Sequence, residues 1–134
     1  MELKEYISRM RELSEAKRIL LEEEKKLSSP IISDLSQVER VLGYCREAYG
    51  DKPRKNVSRP FLFVMLFFFS PKTLSGGKMV SGLRDKLAEC LDTTASNISH
   101  YTANLMFYYV MYKDFANEVN NLFTYVYARL KENQ

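Results

Sequence analysis

Residues 81–101 read Ser-Gly-Leu-Arg-Asp-Lys-Leu-Ala-Glu-Cys-Leu-Asp-Thr-Thr-Ala-Ser-Asn-Ile-Ser-His-Tyr. Leu83, Leu87, Ala88 and Leu91 recur at helical spacing, which places them on one face of a first helix. Asp92, Thr93 and Thr94 break that spacing. Asp tolerates the left-handed backbone of a tight turn, and Thr94 is placed to cap the next helix. This second helix turns Ile98, Tyr101 and Leu105 inward, with Ser96, Asn97, Ser99 and His100 on its outer face. Ala88 is small where two crossing helices come close. Helix, tight turn and helix is the layout that sets a second helix into the major groove of DNA. The plainer reading is an ordinary helix pair inside a bundle.

Around this stretch, 134 residues with 46% apolar content suit one domain with a core, plus an appended arm. No run alternates apolar and polar residues for long enough to make a strand. The expected fold is all-α: a bundle of about six helices containing the helix-turn-helix, behind a long N-terminal amphipathic helix. Residues 1–29 form that first unit and residues 30–134 the helical DNA-binding domain, with the helix-turn-helix at about 81–105.

Net charge is only +3, but its distribution is uneven. Residues 1–28 carry seven basic and seven acidic side chains, which cancel. From Lys52 to Lys86, eight basic residues face Asp85 alone. That surplus leads into the helix pair, where a cationic surface would meet phosphates. A charge run by itself is more often just a solvated loop.

In residues 2–28, Tyr6, Leu13, Leu20 and Leu27 recur every seven positions, with Leu3 and Met10 on the alternate seam. Lys17 and Glu24 interrupt that second seam. Three arrangements stay open: a dimerising coiled coil, an arm folded on the body, and a helix within the core. Ser28-Ser29-Pro30 ends the segment. A second helix spans roughly residues 34–49, capped by Ser33 or Asp34 and stopped at Gly50. Residues 51–59 form a basic loop.

Pro60 opens a third helix. Phe61-Leu62-Phe63-Val64-Met65-Leu66-Phe67-Phe68-Phe69 is apolar on every side. Nine helical residues reach about 14 Å, against about 30 Å for a bilayer. A central helix covered all round is expected, rather than a membrane span. Ser75-Gly76-Gly77-Lys78 lacks the first Gly and the Ser or Thr of a phosphate-binding loop, because Lys72 and Met79 stand there. No nucleotide is therefore expected, and the glycines serve a turn. Leu105, Tyr108, Tyr109 and Tyr112 extend the second helix of the pair. Asp114 then caps a last helix striped by Phe115, Val119, Leu122, Val126 and Leu130. The C-terminal tyrosines have the composition of a stacking platform for single-stranded nucleic acid. At helical spacing, however, they more often pack while their hydroxyls reach the surface.

Cys45 and Cys90 lie in helical patterns and form no redox or metal motif, and one His does not complete a zinc site. Reduced thiols in a cytoplasmic protein are expected, with no cofactor. The charged N-terminus does not read as a signal peptide. No set of residues assembles acid, base and substrate cradle, so no enzyme is expected.

The basic piece Pro53-Arg54-Lys55-Asn56-Val57-Ser58-Arg59-Pro60 precedes an apolar helix, the helix-turn-helix and a terminal amphipathic helix. Over residues 41–131 this layout resembles the C-terminal DNA-binding domain of the bacterial replication initiator DnaA, with its Trp-repressor-like helix-turn-helix. The resemblance implies phosphate contacts from the basic loop and its Arg, and base reading from the second helix. Ile98-Ser99-His100-Tyr101 falls where that family has Val-Leu-His-Ala, so His100 alone carries over by identity. Asp92-Thr93-Thr94-Ala95-Ser96-Asn97 replaces its Gly-Arg-Asp-His-Thr-Thr, and there is no ATPase module. The implied role is a stand-alone DNA-binding regulator of phage or mobile-element type. Its double-stranded DNA would be read by Ser96, Asn97, Ser99 and His100. Arg54, Lys55, Arg59, Lys78, Arg84, Lys86 and Thr94 would hold phosphates. The competing class is a helical adaptor dimerising through residues 2–28.

Overall fold

The computed structural model describes residues 2–50 and 58–132. Among them the chain forms eight α-helices and one 3-10 turn, and no strand. The helices are α1 (Leu3–Leu27), α2 (Val38–Tyr49), α3 (Ser58–Phe69), α4 (Pro71–Leu74), α5 (Leu83–Cys90), α6 (Ala95–Thr102), α7 (Leu105–Met111) and α8 (Lys113–Glu132). No described helix is long and apolar enough to cross a membrane.

α3 sits at the centre of the body. Phe61 to Leu66, Phe68 and Phe69 are all buried, and only Phe67 reaches the surface, at 37% exposure. α2, α4, α6 and α8 pack around it. A helix without a polar face is stable only under such cover. α2 contributes Val38, Val41, Leu42 and Cys45, and α8 contributes Val119, Leu122 and Val126. Phe68 stacks on Phe123 of α8, and Phe67 meets the same ring edge-on. Burying a Phe of this kind contributes about 3–5 kcal/mol relative to Ala.

Local sequence explains the breaks. Asp34 accepts a hydrogen bond from the Ser36 amide and opens the 3-10 turn Leu35–Gln37, so the expected second helix becomes α-helical only at Val38. Gly50 stops it with φ +61°. Pro71 sits at the start of α4. Gly77 donates to the Lys72 carbonyl at 2.8 Å, and a Cβ there would lie 2.9 Å from that oxygen. The glycines at 76 and 77 therefore serve a turn, as their sequence context indicated.

One expectation changes, and one of the three arrangements left open for the first helix is closed. The helix after the tight turn does not run on to Tyr112. It ends at Thr102, and α7 begins anew at Leu105. Asn104 adopts φ +64° between them, and Asn is among the few side chains that accept this backbone. That break and the short α4 account for the finer division of the chain. α1 buries none of its residues. It is no part of the core, and every buried residue belongs to the body. The amides of Ile31 and Ile32 donate to the Phe68 carbonyl at 3.0 and 2.9 Å, tying the chain after α1 to the end of α3.

The turn between α5 and α6 takes the expected form. Asp92 has φ +54°, and the Thr94 hydroxyl accepts the Asn97 amide at 3.1 Å. Glycine at residue 92 avoids the Cβ penalty of this conformation. Asp92→Gly is therefore expected to stabilise the fold by about 0.5–1 kcal/mol, and Asp92→Val to destabilise it by about 1–2 kcal/mol. Urea unfolding of the two variants checks both signs.

A polar tie joins α2 to α8. Arg129 donates to Glu47 at 2.7 Å, and the Tyr125 hydroxyl donates to the same carboxylate. These bonds, Arg129 first, hold the Glu47 carboxyl below its ordinary value. A depressed carboxyl stabilises the fold fully above its unfolded value of about 4.3, and loses that contribution as pH falls through the folded value. Glu47→Gln is expected to lower Tm at pH 7 and to lower it less at pH 3. Equal losses at both pH values would remove the carboxylate's charge from the explanation.

Candidate nucleic-acid interface

α5 and α6 pack on each other across the turn at residues 91–94. Leu83, Leu87, Ala88 and Ile98 are buried between them and the core, while Leu91 is half-buried. Arg46 of α2 donates to the Cys90 carbonyl at 2.8 Å and so satisfies an end carbonyl of α5. This packing aims the outer face of α6 at solvent, leaving Ser96, Asn97, Ser99 and His100 all exposed.

The four side chains are not equivalent. Asn97 donates through Nδ2 to the Thr93 hydroxyl at 2.9 Å, so its amide is oriented by the turn. Ser99 accepts from the Arg84 guanidinium at 3.2 Å. The ring of His100 lies edge-on to Tyr101. Ser96 occupies the first turn of α6, on the same open side.

A cleft of about 710 Å³ runs between the loop after α4 and the α5–α6 pair. Lys72, Lys78, Arg84 and Ser99 line it, with Ser81 and Thr102. The fold thus brings Lys78 and Arg84 beside Ser99. Lys72 and Ser81 belong to the same wall and were not expected at the site. Lys72 was visible in the basic run, but only tertiary packing shows that it faces Arg84's side of the body. Asp85 also lines the cleft and offsets part of its positive charge.

Other expected contacts lie elsewhere. Lys86 is half-buried on α5 outside this cleft. The side chain of Thr94 is engaged in capping α6. Arg59 does not reach the cleft. Its guanidinium sits 5.3 Å from the Tyr101 ring centre and 5.4 Å from that of Tyr108, joining α3 to α6 and α7. Arg54 and Lys55 lie outside the described residues.

Both cysteines lie outside the cleft. Burial pushes the Cys45 thiol up to about 12, and burial also raises that of Cys90. Among the described residues no group of three or more His, Cys, Asp or Glu is placed to hold a metal ion. Four of the C-terminal tyrosines are engaged within the body: Tyr109 donates to Asn120, Tyr125 to Glu47, and Tyr101 and Tyr108 flank Arg59, while Tyr112 and Tyr127 stay exposed.

No family model, no curated protein and no solved structure matches the chain.

Arg59 between two rings is a structural cation, and one cation–π contact contributes about 0.5–2 kcal/mol depending on burial. Arg59→Ala is expected to lower stability by about 1–3 kcal/mol, because the aliphatic stem also packs. Arg59→Lys should recover part of that loss. Chemical unfolding of both variants measures the difference.

Proposed function

We propose that the protein is a non-enzymatic double-stranded DNA-binding protein that uses α5, the turn and α6 as a helix-turn-helix. The observation that carries this reading is the exposed polar face of α6 standing beside a cleft that gathers Lys72, Lys78 and Arg84. In this reading the three cations hold phosphates and fix the register of α6. Asn97 and Ser99 lie toward base edges, where Asn pairs with adenine through two hydrogen bonds. Arg84 links the two roles through its bond to Ser99. The likeness in layout to the DnaA C-terminal domain agrees with this use of the helix pair, and a regulator of transcription or replication is the matching role.

The outer face of α6 carries neither Arg nor Lys, the usual guanine readers. Sequence preference is therefore modest in one copy, and affinity comes chiefly from phosphate contacts. A second reading, a helical protein–protein adaptor, is favoured by one observation: the apolar residues of α1 are exposed along its whole length.

Fluorescence anisotropy against a labelled duplex, over a salt series, tests the first reading. Several phosphate contacts give a log–log slope of roughly −3 to −6. Lys78→Ala and Arg84→Ala should each weaken binding to all sequences alike and reduce the slope by about 1. Asn97→Ala should instead relax sequence preference. Absence of binding at low salt would exclude the helix-turn-helix as the working part and leave the adaptor reading.

A further inference from the structure

α1 is a 25-residue helix, about 37 Å long. Leu3, Tyr6, Met10, Leu13, Leu20 and Leu27 lie along one seam and are all exposed, Leu27 at 75%. Ile7 and Leu21 border that seam and are exposed too. The helix's ion pairs join Arg18 to Glu15 and Glu22, on the side away from the seam, and Arg9 to Glu12 at its border. The polar edge of α1 is thus satisfied within the helix, while its apolar edge faces solvent. An exposed apolar stripe of this length marks an interaction surface.

We infer that α1 pairs with α1 of a second copy of this chain as an antiparallel coiled coil. The inference deepens the adaptor reading and does not depend on DNA binding. Charge decides the direction. In a parallel, in-register pair each seam residue meets itself. Lys17 would face Lys17 and Glu24 would face Glu24 in core layers separated only by that of Leu20, and no flanking pair would join opposite charges. The antiparallel pair removes both clashes. Leu3 then faces Leu27 of the second copy, Met10 faces Leu20, Leu13 faces Lys17 and Tyr6 faces Glu24. Lys17 lays its aliphatic stem over Leu13 and carries its ammonium to the rim.

The flanks agree with the same register. On one side Ile7 meets Leu21 of the second copy, twice by symmetry, and Ser14 meets Ser14. On the other side Arg9 meets Glu23, also twice, and Ala16 meets Ala16. Arg9 bonds Glu12 within its own helix at 3.0 Å, so its guanidinium is already held on that border. A two-fold interface of this kind is self-complementary and closed.

The body supplies a seat for the partner's end. A groove of about 520 Å³ lies between Leu20 and Leu27 of α1 and Phe67, Leu74 and Met106 of the body. In the antiparallel register Leu3 and Tyr6 of the second copy fall beside Leu27 and Glu24, at this groove. The pairing therefore also covers Phe67, the one exposed residue in the apolar run of α3. The two bodies stand at opposite ends of the paired helices.

Analytical ultracentrifugation of the full chain over a concentration series tests this, combined with crosslinking through one introduced cysteine in a Cys90→Ser background, where Cys45 stays buried. A dimer is expected. Ser14→Cys should form an intermolecular disulfide readily, and Leu3→Cys should not. Arg9→Glu should raise the dimer dissociation constant about tenfold, and Arg9→Glu with Glu23→Arg should restore it. A monomer at all concentrations overturns the pairing and the adaptor reading with it. A dimer that crosslinks through Leu3→Cys and not through Ser14→Cys overturns the antiparallel arrangement alone. A DNA titration of the same samples reports separately on the helix-turn-helix.

Discussion

The burial of α3 is the constraint on which the rest of the body depends. Eight residues of its apolar run are withdrawn from water. A helix with no polar face must be covered on all sides, so α2, α4, α6 and α8 are drawn around it. Each of these needs only an apolar stripe, and each keeps a polar face for solvent. The position of α6 is a consequence: Ile98 and Tyr101 pack inward toward α3, so residues 96, 97, 99 and 100 face outward. The candidate interface exists because the core holds that helix in one orientation.

Polar groups then fix how the elements meet. Arg46 closes the end of α5, Glu47 ties α2 to α8 through Arg129 and Tyr125, and Arg59 joins α3 to two tyrosines. Buried Ser70 accepts the Val80 amide at 3.0 Å and sets the loop that leads into α5. Arg46, Arg59 and Arg129 serve here as connectors between elements. A count of basic residues therefore overstates the cationic surface: Arg59 belongs to the packing, while Lys72, Lys78 and Arg84 share the cleft.

The chain also divides its labour by exposure. The body hides its apolar residues under amphipathic helices, whereas α1 presents a seam none of whose residues is buried. The regular spacing of that seam and the polar residues within it are what the inferred pairing of α1 rests on. Phe67 and Met106 extend the same apolar surface onto the body at the foot of α1.

The sequence by itself determined the helical class, the long first helix, the central apolar helix, and the turn at Asp92 with its Thr94 cap. Each of these depends on residues close together in the chain: periodicity, a side chain that accepts the left-handed backbone, a hydroxyl in reach of an amide three residues on. The break at Asn104 was also local, but an apolar pattern continuing from Leu105 concealed it. Only the tertiary structure decided which cations stand together, that Arg59 is enclosed by Tyr101 and Tyr108, that Lys72 and Ser81 share a wall with Arg84, and that α1 stays outside the core. These outcomes depend on residues distant in the chain meeting across a packed interior. Spacing along one helix carries no information about which neighbour its side chains will meet.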